Sequence, residues 1–146
     1  MFSKEIVYLD DTFQNQEQLF EAIAKDLYEK GYVEVTYLKA ISDREKTYPT
    51  GINTLVTGIA IPHTDSIHIK KQGIAFVRLA KPVMFKEMVT NNPVQVHLLF
   101  FLLVKEKHQQ VEVLSKLMAL FSNEDFINKL LSENKKENLL KALTEI

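Results

Sequence analysis

The run Leu98-Leu99-Phe100-Phe101-Leu102-Leu103-Val104 constrains this chain more than any other stretch. A strand points successive side chains to opposite faces, so seven consecutive apolar residues require a sheet that is dry on both sides. Such a strand belongs in the interior of an α/β sandwich, with helices over each face. The run is far shorter than the roughly 20 apolar residues that cross a bilayer, so a soluble protein without direct membrane insertion is expected. His97 interrupts the same strand, Val94 to Val104, and reads as a hydrogen-bonded histidine on a sheet face.

Other segments supply the remaining layers. Ile6-Val7-Tyr8-Leu9 reads as a short strand. Asn15 can cap a helix from Gln16 to about Lys30, with Gln18 at the reciprocal capping position and Gly31 at the exit. Leu19, Phe20, Ile23 and Leu27 then share a face. A second helix runs from near Thr36 through Tyr37, Leu38 and Ile41 and stops before Pro49, which disfavours helix at the residue before it. Thr47 to Gly51 is turn chemistry. Further strands are expected at Thr54-Leu55-Val56, Ile59-Ala60-Ile61 and Gly73 to Leu79. Three helices close the chain. Val111, Leu114, Met118 and Phe121 repeat at helical spacing; Ser122 with Asp125 forms a capping-box pattern; Asn134 can cap a last helix bearing Leu139, Leu140 and Leu143.

The 146 residues carry no linker, repeat or low-complexity run, so one domain over residues 1–146 is expected. With no cysteine, disulfides, thiol catalysis and cysteine-based zinc sites are excluded. A net charge of −1 and only scattered basic doublets, such as Lys70-Lys71, leave no electrostatic footprint for nucleic acid. The start, Met1-Phe2-Ser3-Lys4-Glu5-Ile6, lacks the basic and apolar regions of a signal peptide, so export is not expected.

The chemistry concentrates at Gly58-Ile59-Ala60-Ile61-Pro62-His63-Thr64-Asp65. An apolar strand runs into a histidine, which is either a polar residue at a strand exit or a functional nitrogen held by a rigid frame. A neutral imidazole carries an unprotonated nitrogen near neutral pH and can attack phosphorus without a metal. A phosphohistidine adds up to about two negative charges, so it wants an arginine, hydroxyls or backbone N–H groups around it. Arg44, Thr50, Thr57 and Thr64 are the candidates in this chain, although Arg44-Glu45 also reads as a surface ion pair. The histidines at 63, 68, 97 and 108 have no helical i, i+4 pairing that would suggest a metal site. His108 opens a helix, where a capping or solvent-exposed role is expected. A serine elbow, paired carboxylates and a Gly-rich phosphate loop are all unsupported.

Four segments together resemble a known family. They are Arg44-Glu45 followed by Pro49-Thr50-Gly51; Gly58 to Asp65; Lys81-Pro82-Val83-Met84-Phe85-Lys86-Glu87-Met88; and the helix Val111 to Met118. They resemble the EIIA domain of the sugar phosphotransferase system (PTS), fructose/mannitol-like type 2, closest to its galactitol-type branch. The resemblance implies a single α/β domain of the phosphotransferase–anion transport protein-like kind, a mixed β-sheet covered by helices on both faces. It implies a cytoplasmic phosphocarrier in which His63 accepts a phosphoryl group on Nε2 from the phosphohistidine of HPr. The group passes to a cysteine of EIIB, and the membrane component EIIC imports the sugar. Arg44 would stabilise phosphoryl charge, with Thr50, Thr64, Asp65 and Gln110 as supporting neighbours. No metal or organic cofactor is implied. Fructose and mannitol members carry a second histidine where Gln110 stands, and a glutamine can donate a hydrogen bond but cannot change charge. The alternative is a regulatory module whose phosphorylation state controls a transcriptional or enzymatic partner.

Overall fold

The apolar run lies at the centre of a sheet. A computed structural model of the chain describes residues 1–145. The strands are β1 (Val7–Asp11), β2 (Gly51–Asn53), β3 (Gly58–Ala60), β4 (Gly73–Lys86) and β5 (Pro93–Leu103). Their spatial order is β1-β4-β5-β3-β2. β1 runs parallel to β4 and β3 parallel to β5, while β4–β5 and β2–β3 are antiparallel, so the sheet is mixed.

Alternation along β5 divides the core in two. Leu99, Phe101 and Leu103 pack with Leu19, Phe20, Ile23, Leu27 and Ile41 of helices α1 (Gln16–Glu29) and α2 (Tyr37–Thr47). Leu98, Phe100 and Leu102 face the other way. Their partners include Leu117, Ile127, Leu130, Leu139 and Leu143 from α3 (Lys107–Leu120), α4 (Glu124–Ser132) and α5 (Lys136–Thr144). Each such side chain, fully buried, contributes roughly 1.5–3 kcal/mol. Phe100 adds an edge contact with Phe76 at 5.2 Å between ring centroids.

Local chemistry sets the boundaries. Asn15 accepts from the Gln18 N–H at 2.9 Å, and Gly31 leaves α1 with φ at +81°. The Gln18 side chain reaches back to the Gln14 N–H, one residue before the position that a capping box predicts. The expected strand Thr54-Leu55-Val56 is instead a turn. The Thr54 hydroxyl accepts from the N–H of Val56 and Thr57 and donates to the Thr57 carbonyl, so the backbone folds on itself and Leu55 is left exposed. The strand begins earlier, at Gly51.

On α3 the inward residues are Val113 and Leu117; of the residues that the sequence spacing turns inward, Leu114 and the following Phe121 do pack on the core, while Val111 and Met118 are exposed. Asn123, not Ser122, caps α4, accepting from the Phe126 N–H at 3.1 Å. α5 starts at Lys136, with Glu133 rather than Asn134 accepting from the Lys135 N–H.

Candidate functional site

Proline shapes the approach to His63. Pro62 has no N–H to give a ladder, yet its carbonyl accepts from the Leu102 N–H at 3.1 Å. His63 then bridges Leu102 in parallel register, so the segment after β3 stays laid along the end of β5. The imidazole is therefore fixed by the sheet although it sits beyond the last residue of β3.

The ring orientation follows from one bond. His63 Nδ1 lies 2.7 Å from the Ile61 carbonyl oxygen. A carbonyl only accepts, so Nδ1 carries the hydrogen and Nε2 keeps its lone pair. Burial lowers the His63 pKa below the usual imidazole value, the Arg44 charge lowers it further, and the Ile61 carbonyl opposes both. The neutral, Nε2-nucleophilic form is thus favoured.

Arg44 projects from the last turn of α2. One guanidinium nitrogen, Nη1, is 3.9 Å from Asp65 Oδ1, a loose contact with an exposed carboxylate. The guanidinium lies over the Tyr48 ring at 5.4 Å from its centroid, and its buried Nε has no hydrogen-bond partner among the described residues. Donor capacity is therefore uncommitted beside His63. Arg44 and Glu45 do not form the surface ion pair that their adjacency suggests, because Glu45 turns inward and is 4% exposed.

The supporting candidates separate on inspection. Thr50 is buried with its hydroxyl given to Glu45 Oε1 at 2.8 Å and its N–H to Oε2 at 2.7 Å, so both of its donors are engaged by Glu45. Burial pushes the Glu45 carboxyl up to about 7, against the pull of both Thr50 donors and the Arg44 charge. Thr64 is buried, and its carbonyl accepts from Gln110 Nε2 at 3.4 Å. That bond brings the first turn of α3 against the residue that follows His63. Asp65 stays exposed beside Arg44. A cleft of about 420 Å³ is lined by Arg44, Asp65, Ser66, Val104, Lys107 and Gln110, joining three elements at this end of the sheet.

The other histidines lie elsewhere. His108 pairs with Glu112 one turn along the exposed side of α3. His97 Nδ1 meets the Thr57 hydroxyl at 2.8 Å, and His68 Nδ1 meets the Thr36 hydroxyl at 2.7 Å. Among the described residues no group of three or more His, Cys, Asp or Glu side chains could hold a metal ion. No described helix is long and apolar enough to cross a membrane. Sequence reasoning missed Glu45 as a buried carboxylate; its neighbour Thr50, five residues on across a proline, was the available signal.

Comparison with known proteins places this geometry in context. The family model for the phosphoenolpyruvate-dependent sugar phosphotransferase system, EIIA 2, matches residues 1–146. The galactitol-specific EIIA component of Escherichia coli K12 is 31% identical over 121 residues, covering 83% of this chain and 81% of that protein. Among solved structures, the nitrogen regulatory protein IIA-Ntr of Neisseria meningitidis superposes with a TM-score of 0.82 at 28% identity. It covers 97% of this chain and 95% of its own. The mannitol IIA of Escherichia coli, solved in complex with phosphorylated IIB, superposes with a TM-score of 0.81 at 23% identity, covering 100% of this chain and 99% of its own.

Proposed function

The chain belongs to the EIIA 2 family of the phosphoenolpyruvate-dependent sugar phosphotransferase system, and from that premise we propose that it carries phosphoryl groups on His63. The lone pair of Nε2 attacks phosphorus of phosphohistidyl HPr. A new N–P bond forms as the bond to the HPr imidazole breaks, and that nitrogen leaves with the electron pair. A cysteine thiolate of EIIB then attacks the same phosphorus and frees His63. The hydrogen on Nδ1 stays with the Ile61 carbonyl throughout, so neither transfer needs a proton relay. Arg44 faces the developing charge. A loose, in-line transition state asks mainly for alignment and charge stabilisation, and no metal or organic cofactor enters either step.

The observation that carries this reading is the Nδ1–H to Ile61 carbonyl bond, which leaves Nε2 as the attacking atom beside an arginine with open donors. Likeness to a galactitol-specific component supports a galactitol-type system, and a IIA solved with phosphorylated IIB supports EIIB as the acceptor; we place the carrier in the cytoplasm, serving sugar import through EIIC. The test is incubation with enzyme I, HPr and phosphoenolpyruvate. Acid-labile label is expected on the chain and absent from His63→Ala; label retained by that variant would overturn the assignment.

A regulatory reading is supported by the likeness to IIA-Ntr. Its chemistry at His63 would be the same, and rate separates the two: a transport component discharges to its EIIB within the turnover time of sugar uptake, whereas a regulator holds its label.

A further inference from the structure

We propose that Glu45 is a positioning residue for transfer, acting through Arg44 by bracing the end of α2 against the start of β2. The inference rests on the phosphocarrier reading above and concerns how Arg44 is held. Consecutive helical residues point about 100° apart, so the helix rotation that turns Glu45 to the interior also sets the direction in which Arg44 leaves the helix. The contacts of the Arg44 guanidinium itself hold it only loosely. Its ion contact with Asp65 is long and exposed, and the Tyr48 ring that it covers is exposed too.

Glu45 is fixed on both oxygens. Thr50 gives its N–H to one and its hydroxyl to the other, both bonds are buried, and together they close the six-residue corner from Glu45 to Thr50 that contains Pro49. The corner has no slack beyond Thr50. A Cβ on Gly51 would stand 2.5 Å from the Lys86 carbonyl oxygen, so the backbone there is pressed against β4. Gly51 pairs with Ala60, and Ala60 leads through Ile61 to His63. A single buried carboxylate therefore links the arginine-bearing helix to the hairpin that delivers the histidine.

The brace survives loss of the carboxylate charge. A glutamine at this position accepts from the Thr50 N–H and donates to its hydroxyl, which can act in either role. Removing the Thr50 hydroxyl leaves a buried carboxylate oxygen unsatisfied and frees the corner. Misplacement of a group by about 1 Å can cost 10²-fold in rate.

The experiment is a double-substitution cycle read as the rate of phosphorylation by phospho-HPr, using Thr50→Val, Thr50→Ser, Glu45→Gln and Arg44→Ala. Thr50→Val is expected to slow transfer by about tenfold where Arg44 is present and to leave the slower Arg44→Ala protein unaffected. Thr50→Ser and Glu45→Gln should retain near-parental rates. Equal slowing by Thr50→Val in both backgrounds, or no slowing in either, overturns the proposal, since a merely structural role does not depend on Arg44. Should Thr50→Val fail to fold, the same cycle is read with Glu45→Leu. Absence of label on the unsubstituted chain would instead overturn the phosphocarrier reading and this inference with it.

Discussion

At the scale of single residues, the transfer proposed for His63 requires a neutral imidazole when the donor arrives. Burial and the Arg44 charge both hold the His63 pKa below the ordinary imidazole value, so the reactive form persists as the solution is acidified through pH 6.5. Phosphorylation by phospho-HPr should therefore decline on acidification with its inflection below pH 6.5, after correction for titration of the donor. An inflection at or above 6.5 would contradict the buried, arginine-facing environment. Arg44→Ala should slow transfer on the order of 10²-fold, the scale for removing a preorganised charge-stabilising group, with an unchanged circular dichroism spectrum. Unchanged rates to and from HPr would reject its role. His63 and Arg44 stand out in the sequence because an Ile-Pro-His exit and an arginine before a Pro-Thr-Gly turn are local patterns. The engagement of Thr50 with Glu45 does not stand out, since a threonine beside an arginine and a histidine looks equally suited to either. Only the burial of Glu45 decides which carboxylate or phosphoryl group the hydroxyl meets.

At the scale of elements, β3 is three residues long and depends on close backbone approach. A Cβ on Gly58 would come within 2.1 Å of the Gln95 carbonyl oxygen and 2.9 Å of Val94 Cγ2, where β3 meets β5 and the register shifts. Neither atom can retreat, because Val94 is core and the Gln95 backbone belongs to the long β4–β5 ladder. Gly58→Ala should destabilise the protein by about 2–3 kcal/mol, measured by urea unfolding. A change under about 0.5 kcal/mol would mean that the strand pairing has slack, and with it the placement of His63. Long periodic elements were readable from sequence: α1, α2 and β5 lie where their patterns put them. The turn at Thr54 was not, because Thr-Leu-Val favours a strand by composition while a hydroxyl competing for nearby backbone groups decides the geometry. The α3 face was misread at Val111 and Met118, though not at Leu114 and Phe121, for a related reason. Its exposed side also carries apolar residues, so spacing alone could not choose between Val111 and Val113.

At the scale of the whole molecule, two covered faces follow from the uninterrupted apolar β5, whereas the strand order does not follow from any local pattern. Nor does the tie across one face. Arg78, in the middle of β4 and 4% exposed, makes paired bonds of 3.0 Å to both oxygens of Asp10 and reaches the carbonyls of Leu130 and Glu133 at the end of α4. Asp10 turns towards it at a bulge with φ of +66°, and two residues 68 positions apart give no sequence signal of meeting. Global stability should also register Glu45. Its carboxyl titrates near 7 in the folded chain against 4.5 as a free group, so the folded state binds that proton more tightly. The stabilisation linked to this proton is fully present below about 4.5 and is lost as pH rises through about 7, amounting to about 3 kcal/mol for a shift of this size. His63 acts in the opposite sense: its depressed pKa gives stability that is present above 6.5 and lost on acidification below it. Comparing Glu45→Gln with the parent cancels His63 and every other shared group. Urea unfolding at pH 5 and pH 8 should therefore show the glutamine variant gaining on the parent by up to about 3 kcal/mol at the higher pH. Parallel stability curves for the two proteins would mean that Glu45 is already ionised at pH 5 in the folded chain, stabilised by its Thr50 donors more than burial penalises it.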